Sequence, residues 1–174
     1  MDEGHIRRMM IPRLRFALLL CALVSALALG SALGIEKYAD LPPCPLCLLE
    51  RWPYRIVLAV SLIGLVLPRP LGWVALAICI LTFAVDVGFA FVHVGVEHLW
   101  WESPLPECQA PDFSGMTAAQ RFAHMRAEPA KPCEDPTYLI SFIPLSLAAM
   151  NMLYALAATL GFARFAILNA RRTP

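Results

Sequence analysis

Four long apolar runs constrain the fold of this chain more than any other feature. They cover about residues 14–35, 51–67, 71–96 and 139–166. The first has about the 20 apolar residues that a helix needs to cross a bilayer, whereas the second is short and has Arg55 near its start. The chain is 59% hydrophobic and 16% charged, against about 25% charged residues in an average soluble domain. The sequence therefore predicts an all-α membrane protein, with residues 1–174 forming one integral membrane domain built as a four-helix transmembrane bundle.

The loops between these runs predict how the bundle is oriented. A short loop covers about residues 36–50 and a long loop about residues 97–138. An even number of spans puts both termini on one side, and Lys and Arg next to short segments mark the cytoplasmic side. Eight arginines lie on the side of the termini: Arg7, Arg8, Arg13, Arg15, Arg69, Arg164, Arg171 and Arg172. We therefore expect cytoplasmic termini, with both loops on the outer side.

Two smaller features complete this outline. The first apolar run is longer than the 7–15 residues of a signal-peptide core, which favours an uncleaved anchor over a cleaved signal. In the long loop, residues 117–127 predict a short helix with Thr117 as its N-cap. The net charge of +1 indicates no nucleic-acid partner.

The six cysteines fall into two groups. Cys21 and Cys79 lie within apolar runs, where a small buried hydrophobic side chain is expected. The other four are assigned to the outward loops, where an oxidising compartment favours two disulfides: Cys44, Cys47, Cys108 and Cys133. Four cysteines can also hold zinc, but the second pair is not arranged as a second C-x-x-C, so no metal site is predicted. Two inert structural disulfides are a further alternative, although the small C-x-x-C ring is a poor structural staple. A redox-active pair is therefore the preferred interpretation.

The residues around the C-x-x-C predict a reactive thiol at a helix N-terminus. Pro45 suits the first position of a helix, which makes Cys44 the N-cap, and a thiolate there gains from the helix dipole. Cys47 and Arg51 are four residues apart and hence neighbours on that helix, so the guanidinium could favour a thiolate or bind an oxygen-rich acceptor. Alternatively, Arg51 snorkels to water or pairs with Glu50.

The third apolar run contains three ionisable residues. Asp86, His93 and Glu97 fall within about 40° of one another on a helix. Ionisable residues within a span indicate a functional site by default, here a proton path. The preferred interpretation is a hydrogen-bonded polar stripe that holds the bundle together. His98 follows near the predicted outer membrane edge.

These motifs resemble those of a known family. Residues 44–54 (CPLCLLERWPY) resemble the C-x-x-C and following arginine of the DsbB disulfide-bond formation proteins. Residues 93–98 (HVGVEH), before Cys108, are similar to the end of that family's third helix. The order of spans and cysteine pairs is also similar, so the resemblance covers nearly the whole chain.

The resemblance implies an inner-membrane, quinone-dependent oxidase of a soluble thioredoxin-like partner of the DsbA type. Cys108 resembles the cysteine that forms a mixed disulfide with this partner, and Cys133 resembles its mate, which can then bridge to Cys44. Cys47 is similar to the sulfur that faces the quinone, and Arg51 to the residue that helps to hold the ring.

The cofactor implied by the resemblance is ubiquinone or menaquinone. The resemblance places a histidine close to the quinone, and His98 is the candidate for it. His93 is an alternative candidate, and Glu97 is added to the cofactor-binding set from the same polar stripe.

Three other functions remain open from the sequence. A DsbI-like paralogue would serve a dedicated partner. An enzyme of the vitamin K epoxide reductase type is also four-helical, but its loop cysteines precede the C-x-x-C, in the reverse of the order seen here. A non-enzymatic metal-binding or scaffolding membrane protein would contain stoichiometric zinc and show no redox turnover.

Overall fold

The described part of the chain consists of helices and connecting segments. The computed structural model describes the backbone of residues 3–39, 41–108, 115, 117–120, 131–139 and 144–170, and the side chains of these residues except 3–12 and 170. The long helices are α1 (Glu3–Tyr38), α2 (Pro45–Val66), α3 (Arg69–Glu97) and α4 (Leu147–Ala170). A 3₁₀ turn covers Pro106–Cys108. The described residues contain one isolated bridge, between Tyr138 and Ser146, and no strand, which confirms the all-α prediction for this part.

Three of the four long helices in the described part of the chain are long and apolar enough to cross a membrane. The segments are Arg13–Tyr38 in α1, Arg69–Glu97 in α3 and Leu147–Asn169 in α4. Helix α2 does not meet this criterion, because Glu50, Arg51 and Arg55 interrupt its first half. That α2 also spans the bilayer remains a prediction, as do the loop bounds and the assignment of residues 1–174 to one membrane domain.

The fourth helix begins later than the apolar run that predicted it. The run starts near residue 139, whereas α4 starts at Leu147. The hydroxyl of Ser146 accepts a hydrogen bond from the N–H of Ala149 at 3.2 Å, so Ser146 occupies an N-cap position. The N–H of Leu147 donates to the carbonyl of Thr137 at 2.8 Å. Apolar composition alone did not reveal this capped start.

The helices pack in a defined order. Helix α3 packs against both α2 and α4, and α1 packs mainly against α2, whereas α1 and α4 make few contacts. A Cβ added to Gly64 of α2 would lie 2.8 Å from the Cβ of Ala75 in α3. Small residues at this crossing therefore allow the two backbones to approach closely, as is typical of membrane helices.

The outer faces of the bundle are apolar. Large hydrophobic side chains are exposed on α1, α3 and α4, among them Leu23, Leu81 and Leu160. Because lipid tails are as apolar as leucine, such side chains suit contact with a bilayer. The core contains Leu18, Leu76 and other buried apolar residues.

The short helix predicted in the long loop is observed in part. Residues 118–120 are helical, and the N–H of Gln120 lies 3.4 Å from the hydroxyl oxygen of Thr117, as the N-cap prediction requires. The rest of this predicted helix, residues 121–127, lies outside the described residues.

Candidate functional site

The C-x-x-C lies at the start of α2, in the conformation that the sequence predicts. Cys44 is the N-cap, with extended backbone angles, and Pro45 occupies the first helical turn. The N–H of Cys47 donates to the Sγ of Cys44 at 3.1 Å. Both cysteines are free thiols, and the Cys44 side chain is buried. The helix therefore aims its N-terminal amide groups at the sulfur that is most able to carry negative charge.

The pKa of the Cys44 thiol is lowered from its ordinary value. The main cause is a hydrogen bond from the side chain of Cys47, supported by the Cys47 backbone N–H. Burial acts in the opposite direction and is outweighed. Of the two thiols, Cys44 is therefore the one that the surroundings favour as a thiolate.

The second cysteine pair forms a disulfide beside this site. Cys108 and Cys133 are joined across 25 residues of sequence. Both cysteines are buried in one apolar cluster together with Cys44, Leu46 and Val96. The fold thus brings the two cysteine pairs together, and in this state the loop pair is oxidised and the C-x-x-C pair is reduced.

His93 of α3 connects the C-x-x-C to a buried carboxylate. Its Nε2 lies 3.4 Å from the Sγ of Cys44, and its Nδ1 lies 2.7 Å from Oε1 of Glu50. Both His93 and Glu50 are buried. A carboxylate on Nδ1 fixes the orientation of the ring, so Nε2 is directed at the thiol.

The carboxylate of Glu50 continues into a polar network between three helices. Its Oε2 accepts from the side-chain amide of Asn151 at 2.9 Å. The same amide lies 3.3 Å from Oδ2 of Asp86, and the carbonyl oxygen of Asn151 accepts from the hydroxyl of Tyr54 at 2.6 Å. These bonds join α2, α3 and α4, so Asp86 and His93 take part in a network that holds the bundle together.

Arg51 has a different partner from the one considered in the sequence. Its guanidinium lies 2.8 Å from Oε2 of Glu36 at the end of α1, whereas Glu50 is engaged with His93 and Asn151. Glu36 belongs to α1 and not to α2. The spacing of residues along α2 therefore could not predict this ion pair.

A cavity of about 480 Å³ opens beside the C-x-x-C. Apolar side chains of α1, residues 41–43 and α4 form most of its wall. Its polar wall includes Cys47, Arg51, Glu50, Tyr54 and Asn151. The sparse contact between α1 and α4 leaves room for this space.

Cys47 and the four predicted cofactor-binding residues differ in their position relative to the cavity. Cys47 and Arg51 line the cavity, whereas His93, Glu97 and His98 are not among its lining residues. Glu97 accepts a hydrogen bond from the hydroxyl of Ser146. His98 is exposed and stacks on Trp100, with ring centroids 5.5 Å apart. The assignment of these three side chains to the cofactor stays a prediction.

Three residues of the site were missed in the sequence. Tyr54 ends the stretch of residues 44–54 that carries the family resemblance but received no role there, and neither Asn151 nor Glu36 lies in a motif. A signal existed for Asn151, because it is a polar side chain within an apolar run, where polar residues are expensive and usually paired. The contacts of Tyr54 and Glu36 became apparent only in the structure.

One further property of the site concerns metal ligands. The ligand atoms of Cys44, Cys47 and His93 all lie within 4.8 Å of one another. These three residues therefore offer two sulfurs and one imidazole nitrogen to a common point.

Most of the chain is similar to a known protein family. Residues 14–164 match the family described as "Disulfide bond formation protein DsbB". A protein named "Disulfide bond formation protein B" from Alkalilimnicola ehrlichii is 48% identical over 61 residues, which are 35% of this chain and 36% of that relative. The aligned part thus covers well under two thirds of that relative's length. No solved structure matches the chain significantly.

The family match covers most of the chain, including all four loop cysteines. Together with the membrane-length helices, it identifies a membrane protein of this family. The chain belongs to the DsbB family of disulfide bond formation proteins.

Proposed function

We propose that this protein oxidises a periplasmic thioredoxin-like dithiol protein of the DsbA type and passes the electron pair to a membrane quinone. In this proposal the protein lies in the bacterial inner membrane with α2 as a fourth span. Both termini are cytoplasmic and the four reactive cysteines are periplasmic. The observation that carries the proposal is the burial of the Cys108–Cys133 disulfide in one cluster with Cys44. This shared cluster supports an exchange between the two cysteine pairs.

The first exchange oxidises the partner. A partner thiolate attacks the Sγ of Cys108, which forms a mixed disulfide and releases Cys133 as a thiolate. The second partner thiol then attacks the mixed disulfide, so the partner leaves oxidised and the loop pair becomes a dithiol. Cys108 is 6% exposed and Cys133 is 1% exposed. The loop must therefore move from the cluster before a partner sulfur can reach Cys108.

The second exchange passes the electrons from the loop dithiol to the C-x-x-C. With Cys44 and Cys47 joined as a disulfide, the Cys133 thiolate attacks Cys44 and releases Cys47. Cys108 then attacks the Cys133–Cys44 bridge, which restores the loop disulfide and leaves Cys44 and Cys47 reduced. The observed state, with a closed loop disulfide and two free C-x-x-C thiols, corresponds to the end of this step.

The residues that line the cavity suit a quinone ring. It is mostly apolar and has a volume of about 480 Å³, with the Cys47 thiol and the Arg51 guanidinium in its wall. These residues supply an apolar surface for a ring, a sulfur next to it and a donor for a carbonyl oxygen. When bound there, ubiquinone or menaquinone would supply the two-electron acceptor that reoxidises the C-x-x-C dithiol.

The protein's own residues prepare the dithiol for this oxidation. The Cys47 N–H and the helix N-terminus stabilise a thiolate on Cys44. His93 Nε2 is placed to accept the proton of that thiol, because Glu50 holds the opposite ring nitrogen. Arg51 brings positive charge to the cavity wall, where an acceptor oxygen gains negative charge on reduction.

The test is an oxidase assay with the purified full-length chain, a reduced DsbA-type protein and a soluble quinone. We expect turnover in the wild type and none in Cys47→Ser or Cys108→Ser. The Cys21→Ala protein is the matched control, because Cys21 is buried in the bundle core and outside both pairs. Normal turnover in either serine variant would contradict the proposed roles. Oxidation of the partner by the wild type without any consumption of quinone would contradict the proposed acceptor.

A further inference from the structure

We propose that the reduced C-x-x-C and His93 form a binding site for a thiophilic divalent cation, with Zn²⁺ as the representative ion. Thiolate sulfur and imidazole nitrogen are the ligands that Zn²⁺ prefers in proteins. Cys44, Cys47 and His93 supply two sulfurs and one nitrogen within 4.8 Å of one another.

The measured separation between two of the ligand atoms suits a shared ion. Zn–S bonds of about 2.3 Å and Zn–N bonds of about 2.0–2.1 Å place tetrahedral sulfur and nitrogen ligands about 3.5 Å apart. The Sγ of Cys44 and Nε2 of His93 are separated by 3.4 Å. An ion could therefore bind both atoms with little movement of either helix.

Glu50 gives His93 the support that metal-ligating histidines usually have. Such histidines donate their other ring N–H to a carboxylate or carbonyl, which fixes the ring and its tautomer. Here Nδ1 lies 2.7 Å from Oε1 of Glu50. With the ring proton on Nδ1, Nε2 presents its lone pair towards Cys44. The Asn151 amide in turn holds the second oxygen of Glu50.

Cation binding and disulfide formation exclude each other at this site. Binding of Zn²⁺ replaces the two thiol protons, which are released to solvent, and leaves a fourth coordination position for water. Cys47 borders the cavity, which provides a route for the ion. Closure of a Cys44–Cys47 disulfide removes both sulfur ligands, so the site exists in the dithiol state alone. A bound cation would hold the dithiol reduced and so inhibit any oxidation of this pair.

The primary test measures Zn²⁺ binding to the full-length protein in detergent, with neither partner protein nor quinone present. Protein reduced by a phosphine under anaerobic conditions is compared with protein oxidised by diamide, and Zn²⁺ is titrated against a chromophoric chelator. We expect one Zn²⁺ per reduced chain and none in the oxidised chain. The Cys108→Ala/Cys133→Ala protein should still bind one Zn²⁺ when reduced, because the loop thiols are not ligands. Since the assay involves no turnover, its outcome is independent of the proposed partner and quinone.

Variants assign the ligands. We expect Cys44→Ser and His93→Ala to weaken Zn²⁺ binding at least tenfold, and Glu50→Gln to weaken it about 10- to 100-fold. Cys79→Ala is the control for a buried thiol outside the site and should bind Zn²⁺ as the wild type does. Co²⁺ substituted into the reduced wild type should show the visible absorption bands of tetrahedral thiolate coordination.

A measurement on the wild-type protein tests the site even when a variant fails to fold. Zn²⁺ should protect both Cys44 and Cys47 from alkylation by a maleimide, as read by mass spectrometry of their peptides. Equal Zn²⁺ binding by reduced and oxidised protein would overturn the proposal, and so would loss of binding in the double loop variant. Unchanged affinity in a folded His93→Ala protein, or equal alkylation with and without Zn²⁺, would overturn it as well.

Discussion

Nε2 of His93 lies 3.4 Å from the Sγ of Cys44, although 49 residues separate them in sequence. The contact joins the N-terminus of α2 to the last turns of α3 and places a base next to a thiol. His93, which the sequence analysis assigned to a polar stripe of α3, is therefore a direct neighbour of Cys44.

The first prediction concerns the thiolate on Cys44 and its dependence on pH. Its pKa is lowered, chiefly by the hydrogen bond from the Cys47 side chain, so the thiolate should persist below the pKa of about 8.5 of a free cysteine. Alkylation of Cys44 in the reduced protein should therefore reach its plateau at a lower pH than alkylation of a free cysteine, and should decline as the pH falls through the lowered pKa. Rate measurements from pH 5 to 9, read by mass spectrometry, check this.

The Cys47→Ala protein separates the causes of that shift. It loses the side-chain hydrogen bond but keeps the backbone N–H, so the midpoint of the Cys44 profile should move to higher pH. Each pKa unit of movement lowers the thiolate fraction below the midpoint tenfold. A midpoint that stays in place would assign the shift to the helix N-terminus instead.

The second prediction concerns Arg51 and the cavity. Loss of a charge-assisted hydrogen bond costs about 1.5–3 kcal/mol, so Arg51→Ala should raise the apparent KM for quinone about 10- to 100-fold. Steady-state assays at varied quinone concentration measure it.

Glu36→Gln is the matched control for Arg51. It removes the ion pair at 2.8 Å but leaves the guanidinium in place. Glu36 is 39% exposed, and such pairs contribute little, so KM should change less than threefold. Equal effects of the two substitutions would show that Arg51 acts through its ion pair, and an unchanged KM in Arg51→Ala would exclude it from the cofactor site.

The third prediction concerns Asn151 in the network between the helices. Its amide group hydrogen-bonds with Glu50, Asp86 and Tyr54, so Asn151→Ala removes one partner from each of three buried polar side chains. We expect a loss of about 1–3 kcal/mol in the free energy of unfolding, measured by denaturation in detergent. The control is Asn169→Ala, whose amide donates within its own helix to the carbonyl of Phe165. A loss in Asn169→Ala equal to that in Asn151→Ala would argue against a special role for the network.

The fourth prediction concerns the close approach of Gly95 and Trp101. A Cβ at position 95 would lie 2.0 Å from Cζ2 of the Trp101 ring, so Gly95→Ala must displace the indole and its hydrogen bond to the carbonyl of Val92. Overpacking costs about 1–3 kcal/mol in a well-packed core, and because the Trp101 side chain is 39% exposed, we expect a cost at the lower end of this range. We expect a lower midpoint of thermal unfolding and altered tryptophan fluorescence.

Gly88→Ala is the control on the same helix, because nothing lies within 4 Å of its added Cβ. A helical alanine is favoured over glycine by about 0.5–1 kcal/mol, so this protein should be as stable as the wild type or more so. Wild-type stability in Gly95→Ala would show that the Trp101 segment shifts without cost.

Local features of the site could be predicted from residues that are adjacent in the sequence. The Cys44–Pro45 pair predicted the start of α2, and the observed N-cap confirms it, because a cap depends on a few consecutive residues. The same reasoning did not reveal the start of α4, where Ser146 caps the helix and Thr137 accepts from Leu147. That start depends partly on a contact outside the helix, which apolar composition does not encode.

Sequence alone was sufficient for the membrane class, for the separation of Cys21 and Cys79 in the bundle core from the other four cysteines, and for the motif that carries the family resemblance. Hydrophobicity, cysteine position and helix capping are properties of residues or of short segments. The partners across helices were decided by the tertiary structure: Glu36 for Arg51, His93 for Cys44 and Asn151 for Glu50. Each of these pairs depends on how far two helices rotate and slide against one another, and the packing of the whole bundle sets both.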